Sequence, residues 1–277
     1  MTASPGETTP PTPLTPPTPG TKTPVRLDRA LVERGLARSR GQAQELIRAG
    51  EVSLQGRTAV RASELVAETD RLEARTDPYV SRGAHKLAGA LDDLGLVPTG
   101  RALDAGSSTG GFTQVLLERG ADLVFAVDVG TNQLAGPVRD DPRVRVHEQT
   151  DVRDLTLANL DDQPVDLVVA DLSFISLTKL LDAFAVLTAP DGTWLLMVKP
   201  QFEVGRAALD RGGVVRDPAL HRQAVDGVAA AAAALGWHVQ AVVASRLPGP
   251  AGNQEFFVHL APTPSVGPAS PWPASLC

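Results

Sequence analysis

The 277-residue chain has a single cysteine, Cys277, and only 4% aromatic residues. One thiol excludes an intrachain disulfide and a cysteine-based metal cluster. The five histidines show no metal-ligand spacing, so the sequence predicts no metal site. No apolar run approaches the roughly 20 residues that span a bilayer, and the N-terminus has no apolar core typical of a signal peptide. We therefore expect a cytoplasmic protein with no membrane partner.

Basic residues are fewer than acidic ones, 26 against 32, so the formal net charge is −6. This value argues against nonspecific coating of nucleic acid by the whole surface. The charge is uneven, however, since residues 25–62 contain eight arginines and four acidic residues, a local charge of +4. A basic patch on an acidic protein indicates a local docking surface for a polyanion.

Proline-rich composition marks both ends of the chain. Residues 1–24 contain eight prolines, and residues 261–277 are rich in proline and serine. Such segments cannot bury a core, so we predict two disordered tails. Residues 25–75 predict a small α+β domain of two short helices and a small sheet, with Ser39 as the N-cap of the second helix. Three arginines cluster at the turn between these helices: Arg34, Arg38 and Arg40.

A short interdomain linker, residues 76–81, precedes a larger domain over residues 82–260. Here strand-like runs alternate with helical runs, which is typical of a mainly parallel sheet with helices on both faces. The connection around Gly249 and Pro250 is too short for a parallel crossover, so the last two strands should be antiparallel. The predicted fold is α/β, with a Rossmann-like seven-stranded sheet and an antiparallel last strand. The predicted strands are 102–103, 123–127, 144–147, 165–170, 194–198, 239–244 and 256–260, and the main helices are 113–119, 177–187 and 218–235.

A glycine-rich loop follows the first of these strands, in the segment Leu103–Phe112, which reads LDAGSSTGGF. Glycine lets the backbone approach a ligand closely and adopt a positive φ. After a first parallel strand, this geometry holds a nucleotide-like cofactor, although a tight structural turn is the alternative. The residues that we expect to hold the cofactor here are Asp104, Gly106, Ser107, Gly110, Gly111 and Phe112.

Acidic residues follow the next three strands, at the edge where ligands bind in open α/β sheets. Asp128 ends the second strand and suits ribose hydroxyls. Asp151 follows the third strand and suits the amino group of an adenine. Asp171 ends the fourth strand and should lie near the reacting atoms, with a helix N-cap as the alternative.

Two lysines and a glutamate complete the candidate site. Lys199 follows an apolar strand, where partial burial suits it to act as a base or charge stabiliser, although a solvated strand end is the alternative. Lys86 shares a helix face with Arg82 at a spacing of four, which also suits an exposed pair. Glu255 opens the last strand and by itself would be an ordinary hairpin acid. We expect the motif aromatics Phe112 and Phe174 to be packing rather than stacking residues.

Several motifs occur together in an order that resembles the TlyA family, bacterial proteins known as hemolysins and as ribosomal RNA 2′-O-methyltransferases. The resemblance covers residues 25–260 approximately. The motifs that carry it are 26–40, Ser81–Leu87, Leu103–Phe112, Ala170–Ser176, Val198–Gly205 and Gly249–Glu255. Relatives carry an Arg-x-Trp-Val linker, where this chain has Asp77-Pro78-Tyr79-Val80.

The resemblance implies an S4-type RNA-binding domain followed by an FtsJ-like domain that uses S-adenosylmethionine. It implies 2′-O-methylation of cytidines in 16S ribosomal RNA, 23S ribosomal RNA or both. Carried over by position, its catalytic tetrad is Lys86, Asp171, Lys199 and Glu255, with Asp171 also beside the cofactor. The expected RNA contacts are Arg34, Arg38 and Arg40 in the small domain, and we add Arg82 from the helix face of Lys86.

Three other functions remain to be weighed against this one. A membrane-active hemolysin would need an amphipathic, lysine-rich helix, which the sequence does not show. A nonenzymatic ribosome-binding or assembly factor would leave the tetrad without a purpose. A nicotinamide dehydrogenase shares the glycine loop, but it does not explain the arginine-rich domain.

Overall fold

The computed structural model describes residues 23–37, 39–75 and 77–263, so most of the two predicted tails and Arg38 lie outside it. The chain divides into two compact units between Pro78 and Tyr79, a position within the predicted linker 76–81. Among the described residues, no helix combines the length and the apolar character needed to cross a membrane.

In the described part of the N-terminal unit, one short strand precedes the two predicted helices and four short strands follow them. Its elements are β1 (Val25–Arg26), α1 (Leu27–Glu33), α2 (Arg40–Arg48), β2 (Val52–Leu54), β3 (Arg57–Thr58), β4 (Leu65–Val66) and β5 (Leu72–Ala74). Ser39 caps α2, because its side chain accepts a hydrogen bond from the N–H of Gln42. Strand β2 pairs antiparallel with β3 and β5, which confirms the hairpin, and the pairing of β1 with β4 was not predicted.

A buried carboxylate, Asp28, organises the polar side of this unit. It accepts hydrogen bonds from Arg26 Nε at 3.1 Å, Arg40 Nη2 at 3.0 Å and Gln44 Nε2 at 3.2 Å. These bonds, that from Arg26 foremost, hold the pKa of Asp28 well below its usual range against the opposing effect of burial. The two arginines remain 48% and 61% exposed, so one buried acid fixes two solvent-facing cations.

The larger unit is a seven-stranded sheet covered by helices. Its strand order is β11-β12-β10-β9-β6-β7-β8, and β12 runs antiparallel to both of its neighbours, while the other pairs are parallel. This arrangement confirms the predicted fold class. The elements are α3 (Arg82–Leu94), β6 (Arg101–Ala105), α4 (Gly111–Arg119), β7 (Leu123–Asp128), α5 (Gly136–Arg139), β8 (Val144–Glu148), β9 (Val165–Ala170), α6 (Leu181–Leu187), β10 (Thr188–Val198), α7 (Pro200–Glu203), α8 (Pro218–Ala234), β11 (His238–Ala244) and β12 (Phe256–Ala261).

Both faces of the sheet are buried, which explains its apolar strands. Neighbouring residues of β9, Val168 and Val169, belong to two different apolar cores. Side chains alternate between the faces of a strand, so a sheet covered on both sides needs a continuous apolar run. Strand β10 begins earlier than predicted, at Thr188, and its pairing with β9 is irregular between Thr188 and Thr193. The residues Pro190, Asp191 and Gly192 lie at this irregularity, and their sequence is typical of a turn, not of a strand.

We predict that Asp28→Asn destabilises the N-terminal unit by about 1–3 kcal/mol, because two cations lose their charged acceptor. Hydrogen exchange of residues 25–75 in the full-length protein measures this. The folded pKa of Asp28 lies below its unfolded value, so its contribution is complete above a pH of about 4 and is lost at lower pH. The stabilities of the wild type and of Asp28→Asn should therefore become equal at low pH. Glu33→Gln, which removes an exposed partner of Arg29, is the control and should change stability by less than about 1 kcal/mol.

Candidate active site

Two cavities lie where the strands of the larger unit end. The larger has a volume of about 320 Å³ and is lined by the glycine loop together with Arg82, Lys86, Asp171, Pro248 and Pro250. The smaller has a volume of about 200 Å³, and its wall includes Asp128, Asp151, Leu172, Ser173 and Ile175. Gly106 borders both cavities. The two cavities thus adjoin at Gly106, at the carboxyl ends of the parallel strands, where ligands bind in open α/β sheets.

The glycine loop depends on a close approach between two strand ends. Gly106 has a φ of +87°, and a Cβ built there would lie 2.7 Å from the main-chain oxygen of Asp171. The N–H groups of Gly106 and Ser107 both donate to the carbonyl of Val127, at 2.8 and 3.1 Å. Gly110, with a φ of +93°, is the residue before α4. Gly106 therefore allows β6 and β9 to meet without a side chain between them.

Asp104 lies behind this loop rather than on a cavity wall. It is completely buried, its Oδ2 accepts a hydrogen bond from Thr113 Oγ1 at 2.6 Å, and its Oδ1 has no partner among the described residues. Burial raises the pKa of Asp104 to about 7, the Thr113 bond opposes the shift, and the charges of Asp171 and Asp128 add to it. Its location gives it a supporting position beneath the loop, and a direct contact with a cofactor stays a prediction.

Gly111 and Phe112 lie at the start of α4, on the wall of the larger cavity. A Cβ at Gly111 would collide with Ser81, the residue before α3, so this glycine lets the two helices approach. The Phe112 ring is 3% exposed and stacks on Phe257, with centroids 6.0 Å apart. The packing prediction is confirmed for Phe112.

The acids after β7 and β8 face the smaller cavity. Asp128 accepts hydrogen bonds from the N–H of Ser108 at 2.9 Å and of Gly130 at 2.7 Å, which joins it to the glycine loop. Asp151 accepts from the side chain and the N–H of Arg153, and these contacts hold its pKa below the usual range. Asp151 Oδ1 accepts two bonds from Arg153, but Asp151 Oδ2 and both oxygens of Asp128 accept only one each. Both acids therefore keep an acceptor position for a ligand.

The four tetrad residues form two ion pairs. Lys86 Nζ lies 2.6 Å from Glu255 Oε2, and Lys199 Nζ lies 2.6 Å from Asp171 Oδ1. The side chains of the first pair are 9% and 1% exposed, and those of the second 10% and 22%. Lys86 and Asp171 each reach the larger cavity, so both pairs border the same space.

Lys199 has a second acceptor that the sequence analysis did not identify. Its Nζ donates to Ser173 Oγ at 2.9 Å, so the ammonium group bridges Ser173 and Asp171. Ser173 lines the smaller cavity, whereas Lys199 lines neither cavity. The motif Asp171-Leu172-Ser173 contained this residue, but nothing in the sequence indicated which side chain its hydroxyl contacts.

The packing prediction is wrong for Phe174. This side chain is 91% exposed, and its backbone has a φ of +67°. The chain leaves β9 through a turn with a left-handed residue at position 174, which places the ring outside the core. Its contact is with Phe202 after Lys199, at a centroid distance of 5.3 Å.

The arginines predicted to bind RNA differ in their surroundings. Arg34 donates to the carbonyls of Ala67 and Asp70, both at 2.7 Å, so it braces the N-terminal unit. Arg40 is exposed and bonded to Asp28, and Arg38 lies outside the described residues. Arg82 is exposed on the wall of the larger cavity and forms no hydrogen bond or ion pair with the described residues. As RNA contacts, all four stay predictions.

The loop before β12 holds Glu255 in place. A Cβ at Gly249 would lie 2.7 Å from Glu255 Oε1, between the two prolines that line the larger cavity. Asn253 is buried, and its side chain accepts from the N–H of Val215 at 2.9 Å and donates to the carbonyl of Gly213 at 3.0 Å. The sequence motif contained Gly249 and Asn253, but only the structure assigns them this role. Among the described residues, no group of three acidic, histidine or cysteine side chains is placed to hold a metal.

Comparisons with known proteins identify the families to which the two units are similar. Residues 79–261 match the FtsJ-like methyltransferase family, and residues 25–72 match the S4 domain. The 16S/23S rRNA (cytidine-2′-O)-methyltransferase TlyA of Mycobacterium tuberculosis is 53% identical over 240 residues, which cover 85% of this chain and 89% of that protein. Hemolysin A of Brachyspira hyodysenteriae is 34% identical, over 85% of this chain and 99% of its own length. The solved structure of a candidate hemolysin from Streptococcus thermophilus superposes with a TM-score of 0.70 at 36% identity, covering 92% of this chain and 93% of that one.

We predict that Gly249→Ala lowers the free energy of unfolding by about 1–3 kcal/mol, because the new methyl group meets a buried carboxylate tied to Lys86. Chemical denaturation measures the change. Gly227→Ala in α8 is the matched control, since nothing lies within 4 Å of its Cβ position, and it should be neutral or stabilising by up to about 1 kcal/mol. Equal stabilities for Gly249→Ala and the wild type would contradict the close packing of Glu255.

Proposed function

Because the chain belongs to the TlyA family of FtsJ-like methyltransferases, we propose that it methylates the ribose 2′-hydroxyl of cytidine in 16S ribosomal RNA, 23S ribosomal RNA or both. It is an S-adenosylmethionine-dependent enzyme. The observation that carries the proposal is the pair of desolvated lysine–carboxylate contacts beside the larger cavity, 2.6 Å each.

The residues at the strand ends fit S-adenosylmethionine. The glycine loop brings its main chain to both cavities at Gly106, and Asp128 and Asp151 provide acceptors at the smaller cavity. Leu172 and Ile175 give that cavity an apolar wall suited to an adenine ring. When bound, S-adenosylmethionine supplies an electrophilic methyl group, and the carboxylate of Asp171 suits its positive charge.

Lys199 is our candidate for activating the ribose hydroxyl. A hydroxyl is a weak nucleophile until its proton is removed or its developing charge is stabilised, and an amine held beside it does either. Asp171 and Ser173 fix the direction of Nζ through two contacts. The Lys86–Glu255 pair brings a second ammonium group to the larger cavity, where it positions the ribose. Most of the rate enhancement then comes from alignment and fixed charge.

RNA recognition is assigned mainly to the domain formed by residues 25–75, and the chemistry to residues 82–260. Arginines that contact phosphates set affinity and its salt dependence without reading sequence. Arg26, which the sequence analysis did not select, joins Arg40 on Asp28 and is about half exposed. Arg82 provides a cation at the cavity itself. The target nucleotide leaves its helix to reach the site. A substrate of this kind places the enzyme in the cytoplasm.

We expect Lys199→Ala to reduce methylation by about 10²–10⁴-fold while S-adenosylmethionine still binds, because the variant removes the activating amine and not the glycine loop. Incorporation of labelled methyl groups into the 16S and 23S RNA of isolated subunits measures the first effect, and calorimetry the second. Lys179→Ala is the control, since this lysine is exposed and has no partner among the described residues. Full turnover by Lys199→Ala would refute the assignment, and an inactive wild type would refute the function.

Replacement of both Arg26 and Arg40 by glutamine, which removes the charges and keeps amide donors for the buried Asp28, should weaken binding to ribosomal RNA and leave cofactor affinity unchanged. Each lost phosphate contact should reduce the slope of log K against log salt concentration by about 0.7–0.9. Binding titrations at several salt concentrations check this. Arg145→Ala, an exposed arginine of the other unit, is the comparison. An unchanged slope would assign this surface to a different partner.

A further inference from the structure

The turn between β9 and α6 contains a strained residue next to the reacting groups. Phe174 has a φ of +67°, a conformation that a bulky side chain rarely adopts. Its ring is 91% exposed, so burial does not offset the strain. A residue in such a conformation persists only where its surroundings hold it, and such sites cluster at functional centres.

The contacts that hold this turn come from one short segment, Lys199–Glu203, which follows β10. Before Phe174, the Nζ of Lys199 donates to Ser173 Oγ at 2.9 Å. After Phe174, a carboxylate oxygen of Glu203 accepts from the N–H of Leu177 at 2.9 Å, and the other accepts from the hydroxyl of Ser176. The turn is therefore fixed on both sides of its strained residue.

Glu203 itself is in an unfavourable environment. It is partly buried, and it has no cationic partner among the described residues. Burial raises the pKa of its carboxyl above the usual range, against the two hydrogen bonds that stabilise the charge. Burial of a charged group is unfavourable unless the group is hydrogen-bonded, so these two bonds hold Glu203 in place. Here those bonds cap the short helical turn that begins at Leu177.

We propose that Glu203 is a positioning residue for methyl transfer. By fixing Ser176 and Leu177 it keeps the strained turn closed against the segment 199–203, and this keeps Asp171 and Ser173 aligned with the Nζ of Lys199. The proposal rests on the function given above and assigns Glu203 no contact with substrate or cofactor. Glu203 affects methyl transfer indirectly, because it helps to orient the Nζ of Lys199.

The test compares Glu203→Ala with Glu203→Gln. The alanine variant removes both hydrogen bonds and should lower kcat on the order of 10–100-fold, because small misalignments of reacting groups have effects of this size. KM for ribosomal RNA and the affinity for S-adenosylmethionine should be unchanged. The glutamine oxygen can accept from Leu177 and its NH₂ can donate to Ser176, so this variant should retain most of the activity. Hydrogen exchange of residues 172–178 should accelerate in the alanine variant alone.

Glu118→Ala, which removes an exposed carboxylate from α4, is the matched control and should retain full activity. Ser176→Ala removes one of the two Glu203 bonds together with the bond from the N–H of Thr178 to Ser176. It should also lower kcat, which keeps the test valid if Glu203→Ala unfolds. If the wild type is active and Glu203→Ala has the same kcat, the role of Glu203 is refuted while the proposed function stands. The same follows if Glu203→Gln is as impaired as Glu203→Ala. A wild type without methyl incorporation would instead refute the proposed function.

Discussion

The site depends on holding two ammonium groups out of water against two carboxylates. The Lys86 and Glu255 side chains are 9% and 1% exposed, and each ion loses several kcal/mol of hydration on such burial. Apolar residues of the same volume would often be as stable, while removal of one partner from a buried pair is destabilising by about 3–5 kcal/mol. Fold stability therefore does not explain the pair. The proposed role of the pair, an ammonium group fixed beside the larger cavity to position the ribose, would explain it.

The antiparallel last strand makes this arrangement possible. Glu255 immediately precedes β12, and the register pairs Phe256 with Val198, the last residue of β10 before Lys199. Because β12 runs against its neighbours, its first residue lies at the edge where the parallel strands have their last residues. In a parallel strand of six residues, position 255 would lie at the opposite edge, about 20 Å away. The direction of one strand thus brings an acid from the end of the chain to a lysine of α3, 169 residues earlier.

Residue patterns predicted the sheet, the antiparallel last strand and the cap at Ser39, because these follow from local periodicity and turn chemistry. They did not predict that Lys86 contacts Glu255, since that contact depends on a register between distant segments. They also misplaced Phe174, whose exposure follows from a left-handed backbone at a non-glycine residue. The contacts of Arg34 with main-chain carbonyls could not be predicted either. The sequence shows a charged side chain but not the main-chain oxygens that lie around it.

The acids at the site show why location matters more than the size of a pKa shift. Burial raises the pKa of Asp104 to about 7, yet Asp104 lies behind the glycine loop and reaches neither cavity. Asp171 lines the larger cavity and has the ammonium of Lys199 at 2.6 Å. The charges of Asp171 and Asp128 add to the shift of Asp104, so part of it is a consequence of the acids that face the ligand space. The strongly shifted acid therefore lies behind the site, and the acid already paired with a lysine faces the larger cavity.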